Sequence, residues 1–371
     1  MAKILLVGSA HPLRGGIASL NERLALAFQQ QGHEVEILSF SLQYPSFLFP
    51  GSSQFTNDPA PKNLKISSLL NSINPLNWLW IGQKYRQKNF DLVIFRFWLP
   101  FMSPCLGTIA RILKKKHTKV IAITDNVIPH EKRFGDKVFT KYFLSACEGF
   151  LAMSKSVLTD LRQFEPKKPQ AYCPHPIYDN YGEKMDKTEA RKKLKLDENG
   201  KYVLFFGFIR AYKGLDLLLE AFGNAIIDPE VKLIIAGEYY ENPEKYEALI
   251  SKYQLENRIV RAMNFIANED VSAYFCAADL IAQPYKTATQ SGVSQIAYHF
   301  DKAMLVTDVG GLAELIPDQI VGYVVKPDSQ AIAKAIADFY EQKKEVFFVE
   351  NVKIEKQKFA WERMTESLLG L

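Results

Sequence analysis

Cysteine is scarce in this chain: Cys105, Cys147, Cys173 and Cys276 are the only four, scattered among 371 residues. None forms a CxxC pair or has a histidine at metal-ligand spacing. That pattern argues against a disulfide framework and a zinc site, and it fits a reducing cytoplasm. Glycine-rich phosphate signatures are missing too. No GxGxxG follows the first apolar run and no GxxxxGK[ST] occurs, which argues against a dinucleotide-dependent oxidoreductase and a P-loop enzyme. No helix-turn-helix or zinc-finger pattern supports nucleic-acid binding. No stretch reaches the roughly 18 apolar residues of a membrane-spanning helix. The opening Met1-Ala2-Lys3-Ile4-Leu5-Leu6-Val7-Gly8 is too short for a signal peptide's apolar core and reads as a buried first strand. There are no internal repeats and no low-complexity tract.

The residues present describe an ordinary globular protein, 47% hydrophobic and 23% charged. Its length suits two α/β domains of about 170 to 190 residues each. The net charge of +5 is unevenly spread: residues 1–178 carry 22 Lys+Arg against 11 Asp+Glu, and the remainder 24 against 30. A basic first half suits an anionic surface or substrate on that side; scattered surface lysines would give the same count.

Short apolar runs alternate with helical patterns. Residues 3–7 read as a strand, a helix runs from Gly15-Gly16 to Gln30 and ends at Gly32, and residues 34–38 resume as a strand. That is a βαβ unit. Further strands are expected at 92–95, 120–123 and 149–153, and a long loop at 43–61, rich in Pro, Ser and aromatics. A second series begins at 202–207. It continues with a helix at 215–222, a strand at 232–236, a helix at 243–253, a strand at 259–262, a helix at 271–277 and strands at 280–282 and 305–307. This alternation implies parallel sheets covered by helices on both faces. A linker is expected within 174–200. The expected domains are 1–178, 179–345 and a helical segment, 346–371, that packs back on the first domain.

The strongest chemical signal is Gly207-Phe208-Ile209-Arg210-Ala211-Tyr212-Lys213-Gly214-Leu215-Asp216-Leu217-Leu218-Leu219-Glu220-Ala221-Phe222. A strand ends at a glycine and a helix starts after Lys213-Gly214. Ligands of open parallel sheets sit at the carboxyl ends of the strands. Arg210 and Lys213 therefore stand where two cations suit a diphosphate. This segment resembles the donor-binding turn of family 4 glycosyltransferases, which have the GT-B fold. Ile234-Ile235-Ala236-Gly237-Glu238, Asn268-Glu269-Asp270-Val271, Thr307-Asp308-Val309-Gly310-Gly311-Leu312-Ala313-Glu314 and Gly322-Tyr323-Val324-Val325 keep step with that family, and Gly15-Gly16 is similar to its glycine loop facing the donor phosphates. The resemblance implies an α/β chain with two Rossmann-like doubly wound domains facing a central cleft. The first domain would hold the acceptor and the second the nucleotide sugar.

The resemblance also carries site residues. The family's two glutamates, separated by seven residues, fall on Thr287 and Gln295. By the resemblance, Gln295 would accept from ribose hydroxyls through its amide oxygen, and Thr287 would face the transferred sugar. Gln290, Ser291, Gly292 and Val293 would contribute at the next helix start. Gly207, Glu238, Phe265 and Ile266 complete the donor set. A family histidine aligns with Asp125, which is expected to bind hydroxyls or stabilise positive charge on the sugar, or else to cap the next segment. Arg96, Trp98, Asn126 and His130 are acceptor candidates. No Asp-x-Asp triplet occurs, so Arg210, Lys213 and helix N-termini are expected to serve the diphosphate without metal or other cofactor.

The expected activity is transfer of a hexosyl group, with retention, from a nucleoside-diphosphate sugar to a saccharide or lipid-linked acceptor in bacterial surface glycan synthesis. A nucleotide-sugar epimerase and a non-catalytic sugar-nucleotide-binding protein are the alternatives on the same fold. Aromatics beside cations at 75–88, 96–101 and 111–119 suggest peripheral contact with an anionic membrane from the cytoplasmic side.

Overall fold

The computed structural model describes residues 1–45, 54–56, 59–129, 134–179, 181–288 and 291–371. They divide into two units, Met1–His175 with Trp361–Leu371, and Pro176–Ala360.

In the first unit the chain runs through β1 (Lys3–Val7), α1 (Gly16–Gln30), β2 (Glu34–Leu42), β3 (Lys65–Asn71), α2 (Pro75–Arg86) and β4 (Leu92–Phe97). It continues through α3 (Ser103–Leu113), β5 (Lys119–Thr124), α4 (Asp136–Ala146), β6 (Gly149–Ala152), α5 (Lys155–Phe164) and β7 (Gln170–Tyr172). The strands form one parallel sheet in the order β3-β2-β1-β4-β5-β6-β7. Central strands covered on both faces are near-continuous apolar runs, as Lys3-Ile4-Leu5-Leu6-Val7 is. Leu5 and Val7 point into a core shared with α2 to α5. Ile4 and Leu6 point into the opposite core, with Leu24 and Phe28 of α1.

The second unit comprises α6 (Lys187–Lys193), β8 (Lys201–Phe206), α7 (Leu215–Phe222), β9 (Val231–Ala236), α8 (Glu244–Lys252) and β10 (Ile259–Ala262). After these come α9 (Asn268–Ala277), β11 (Leu280–Gln283), α10 (Gly292–His299), β12 (Ala303–Thr307), β13 (Gly322–Val325), α11 (Ser329–Glu341) and α12 (Glu345–Glu355). Its parallel sheet has the order β10-β9-β8-β11-β12-β13. α7, α8 and α11 cover one face; α9 and α10 cover the other. Strand order reverses between β1 and β4 in one sheet and between β8 and β11 in the other, the switch points at which such sheets bind ligands.

Three expectations change. The stretch expected as a linker folds into the second unit from Pro176 onward. Asp186 caps α6, accepting from the Thr188 amide at 2.8 Å, and buried Arg191 donates to Asp279 at 2.8 Å. Arg191 is therefore part of the fold, while Lys184, Lys192 and Lys193 stay exposed. The segment 346–371 does not pass whole to the first unit. Phe348 and Val352 of α12 stay in the second unit's cores, and only α13 (Trp361–Gly370) joins the first, where Trp361, Met364 and Leu368 enter the core on the α1 side of the sheet. Finally, β3 and β7 had no counterpart among the expected strands. Both are edge strands, and the serines of Lys65-Ile66-Ser67-Ser68-Leu69-Leu70-Asn71 obscure the apolar signal. Most of the expected loop at 43–61 lies outside the described residues.

Candidate functional site

Apolar β8 carries the chain to Gly207, whose φ of +98° lets it turn across the sheet edge. Gly237, at the end of β9, lies so close that a Cβ there would meet the Gly207 carbonyl oxygen at 2.2 Å. The chain then makes a short 3-10 turn, Ala211–Lys213, and starts α7 after Gly214. A Cβ on Gly214 would sit 1.9 Å from the Pro284 carbonyl oxygen. Glycine is thus the residue that allows the β8 and β11 loops to close on each other.

This turn folds Lys213 back over Gly207. A Cβ on Gly207 would lie 2.7 Å from the Lys213 ammonium nitrogen. Lys213 is only 8% exposed, and its ammonium lies 5.8 Å from the Tyr285 ring centroid. Burial pushes its pKa from 10.5 down to about 8, and the nearby Arg210 charge adds to the effect. Arg210 is exposed and rests on Tyr240, 4.9 Å from the ring centroid. Among the described residues, no carboxylate pairs with either cation. Two unneutralised positive groups at a strand end make an anion site.

The β11 side completes it. β11 ends in Gln283, whose Oε1 accepts from Ser291 Oγ at 2.6 Å and Ser294 Oγ at 3.0 Å. Ser291 is thereby drawn away from capping α10, which has no side-chain cap and no acidic residue in its first turn. The first-turn amides, Gly292 and Val293 among them, present a positive helix end. Gln295 follows on that turn, 0% exposed, and neither its amide oxygen nor its nitrogen has a partner. The Gln283 amide nitrogen is likewise buried and unpaired. Buried polar groups are almost always satisfied, so three orphaned amide atoms at the same switch point as Lys213 make a candidate place for a polar ligand.

The other donor candidates are more loosely placed. Glu238 is exposed in the turn after β9, its carbonyl accepting from Ile209 N–H at 2.8 Å. Phe265 is exposed after β10, Ile266 packs against the α9 and α10 core, and Thr287 is exposed between β11 and α10. Gln290 lies outside the described residues. Gln283 and Tyr285 were missed by the sequence reading; a lone polar residue closing the apolar strand Leu280-Ile281-Ala282-Gln283 was the available signal. A cavity of about 300 Å³ lined by Lys201, Asp228 and Tyr340 lies at the opposite, amino-terminal strand ends and has no part in this site.

In the first unit, Gly15 caps α1 at φ +114°, and Gly16 is the first residue of the helix. Asp125, expected to bind hydroxyls, stabilise positive charge or cap the next segment, is paired with Arg96. Arg96 Nε and Nη2 each donate to it at 2.6 Å, in a bidentate pair. Arg96 is 3% exposed and the Asp125 side chain 16%, so the aspartate is neutralised and only its edge reaches water. Among the described residues no helix starts near enough for it to cap. Arg96 Nη1 is buried without a partner. Trp98 does not present a face for an acceptor. Its indole nitrogen donates to the Tyr44 hydroxyl at 2.5 Å and its ring packs edge-on against Phe40 in the core. Asn126 is half-buried beside Asp125, and His130 lies outside the described residues.

Two doubly wound parallel sheets, the second with two unpaired cations at its switch point, have the architecture of the GT-B class of glycosyltransferases. Family models agree: Glycosyltransferase Family 4 matches residues 14–177 and Glycosyl transferases group 1 matches residues 186–354. The chain belongs to these glycosyltransferases. It is 22% identical over 192 residues to an uncharacterized glycosyltransferase of Methanocaldococcus jannaschii, covering 50% of this chain and 48% of that protein. It is 23% identical over 283 residues to the D-inositol 3-phosphate glycosyltransferase of Streptomyces avermitilis, covering 70% of this chain and 59% of the relative. The chain thus spans about half to three-fifths of the length of these curated relatives. HepE of Anabaena, solved in complex with UDP, superposes with a TM-score of 0.74 at 19% identity over 100% of both chains.

Proposed function

We propose that this protein transfers a hexosyl group from a nucleoside-diphosphate sugar to a saccharide or lipid-linked saccharide, with retention and without a metal ion, in bacterial surface glycan synthesis. The observation that carries the reading is the buried, unpaired Lys213 ammonium over Gly207, with Arg210 beside it and the open end of α10 across the switch point. Two cations and a helix N-terminus neutralise a leaving diphosphate as charge develops on it, the task a divalent ion performs elsewhere. HepE of Anabaena is solved with UDP and with UDP-glucose, which supports a nucleotide-sugar donor. Gln295 would take the ribose hydroxyls, and Thr287 would face the sugar. Asp125, fixed by Arg96, would bind a hydroxyl of the reacting sugars. In this reading the enzyme works in the cytoplasm against the membrane.

A thermal-shift screen against UDP, GDP, ADP and CMP, with and without EDTA, tests it. A nucleotide at about a hundred times its Kd adds roughly 2.7 kcal/mol. A shift with one nucleoside diphosphate, indifferent to EDTA and lost in Arg210→Ala or Lys213→Ala, is expected. No shift with any nucleotide overturns the donor assignment, and dependence of turnover on manganese overturns the metal-free mechanism. A second reading rests on the uncharged Thr287 and Gln295: a protein that holds the donor without turning it over would shift with nucleotide yet release no nucleoside diphosphate from any sugar conjugate.

A further inference from the structure

Among the described helices, serine stands in the capping position of two and behaves differently at each. Ser154 precedes α5 with φ −136° and ψ 153°, and its hydroxyl oxygen accepts from the Val157 amide at 3.2 Å. Ser291 precedes α10 on a similar extended backbone, φ −135° and ψ 119°, yet its side chain makes no cap. A serine so placed ordinarily accepts from the second or third helical amide. In α10 those amides belong to Val293 and Ser294. No acidic residue in the first turn takes over the task, and the first helical residue is Gly292, which has no side chain to offer.

The difference lies in Gln283. A carboxamide oxygen has two lone pairs, and Gln283 Oε1 fills both, accepting from Ser291 Oγ at 2.6 Å and from Ser294 Oγ at 3.0 Å. Ser291 has one hydroxyl hydrogen, and giving it to Gln283 fixes the rotation of the group. Gln283, Ser291 and Ser294 are all buried, so water does not compete for either hydroxyl. The Tyr285 hydroxyl stands 3.4 Å from Ser291 Oγ, and the ring of the same tyrosine has its centroid 5.8 Å from the Lys213 ammonium. The tie therefore lies at the switch point that holds Lys213. It is also costly. Gln283 closes the otherwise apolar strand Leu280-Ile281-Ala282, and among the described residues its Nε2 is buried without a partner. An apolar side chain at 283 would avoid that penalty, but it would release Ser291 to turn back onto the helix.

We propose that Gln283 is a positioning residue of the donor site: by holding Ser291 and Ser294 it keeps the first-turn amides of α10 uncapped and available to a phosphate group of the nucleoside diphosphate. The inference rests on the reading of this switch point as the nucleotide-sugar site and adds the means by which the helix end stays open. Gln283 acts through Ser291 and not on the ligand itself.

Calorimetry of the full chain with UDP, GDP and ADP tests it, together with a crystal structure of ligand-free Gln283→Leu. In that structure Ser291 Oγ should accept from the Val293 or Ser294 amide. Affinity for the nucleotide that the wild type binds should fall about fivefold, because the ligand must now displace a serine cap of typical strength. Ser291→Ala placed in the Gln283→Leu background removes that cap and should regain most of the loss. Gln283→Met, unbranched and of similar length, should behave like the leucine variant and replaces it if leucine disturbs folding. Undiminished affinity in Gln283→Leu overturns the proposal. So does a loss that the double variant does not regain, which would mean that Gln283 touches the ligand or merely supports the fold. A Ser291 that remains uncapped in the variant structure overturns it too. Should the wild type bind none of the three nucleotides, the donor reading fails, and the variant structure still decides whether Gln283 is what holds α10 open.

Discussion

Replacing Lys213 with Met separates what the lysine does for stability from what it does for binding. The change keeps an unbranched stem of similar length against Tyr285 and removes the charge. A folded-state pKa near 8 against 10.5 means that holding the ammonium in place costs about 3 kcal/mol at pH 7. The ligand-free variant should therefore be more stable than the wild type by up to about 3 kcal/mol, a rise in Tm of roughly 6 to 10 °C. The sign with pH follows from the depressed value. Between pH 8 and 10.5 the unfolded lysine holds a proton that the folded one has lost, so wild-type stability climbs through this window. The variant's advantage should accordingly be full below pH 8 and disappear by about pH 10.5. Nucleoside diphosphates should show the opposite: no shift with the variant at any pH, and a wild-type shift that fades above pH 8 as the ammonium is lost. Differential scanning fluorimetry from pH 6 to 10, with and without nucleotide, reads both arms. A variant less stable than the wild type at pH 7, or an advantage that does not change with pH, refutes the burial argument.

Gln295→Leu removes two unsatisfied buried amide atoms, so the ligand-free protein should gain about 1 kcal/mol in urea unfolding while nucleotide affinity falls at least tenfold by calorimetry. Gly214→Ala adds a Cβ 1.9 Å from a carbonyl oxygen at φ +69° and should cost more than about 3 kcal/mol. Gly15→Ala, also at positive φ but with nothing within 4 Å, should show only backbone strain of about 1–3 kcal/mol. Asp125→Asn strands a buried guanidinium and should cost about 3–5 kcal/mol. Arg96→Met leaves a carboxylate that reaches water and should cost less than half of that, a ratio chemical denaturation can measure.

The central strands were legible because burial on both faces demands continuous apolar runs, and Ile4 to Val7 or Val203 to Phe206 contain little else. The edge strands β3 and β7 were not, since one side of each faces solvent. The β8 turn could be read because its constraint is local: Gly207, Lys213 and Gly214 follow within a few residues of the strand end. Pairings across the sheet were hidden. Nothing near Asp125 in sequence announces Arg96, 29 residues away, and the tie between Gln283 and the serines of α10 depends on how the β11 loop folds. Trp98 was misread for the same reason. An aromatic beside an arginine looks the same in sequence whether its ring packs inward on Phe40 or outward on a sugar.

The path of the chain imposes an order on assembly. The first unit's sheet is laid down before residue 175, but a helix that completes the core on its α1 side begins at Trp361. On a ribosome, the whole second unit is made between those two events. Until α13 arrives, Ile121, Leu151 and neighbouring side chains of that core lack one wall, and the nascent first unit carries an open apolar seam. One unit is therefore nested inside the other's folding, as a clause inside a sentence. A stall anywhere between residues 176 and 360 would leave not one sound unit and one broken one, but an early half still missing its last helix.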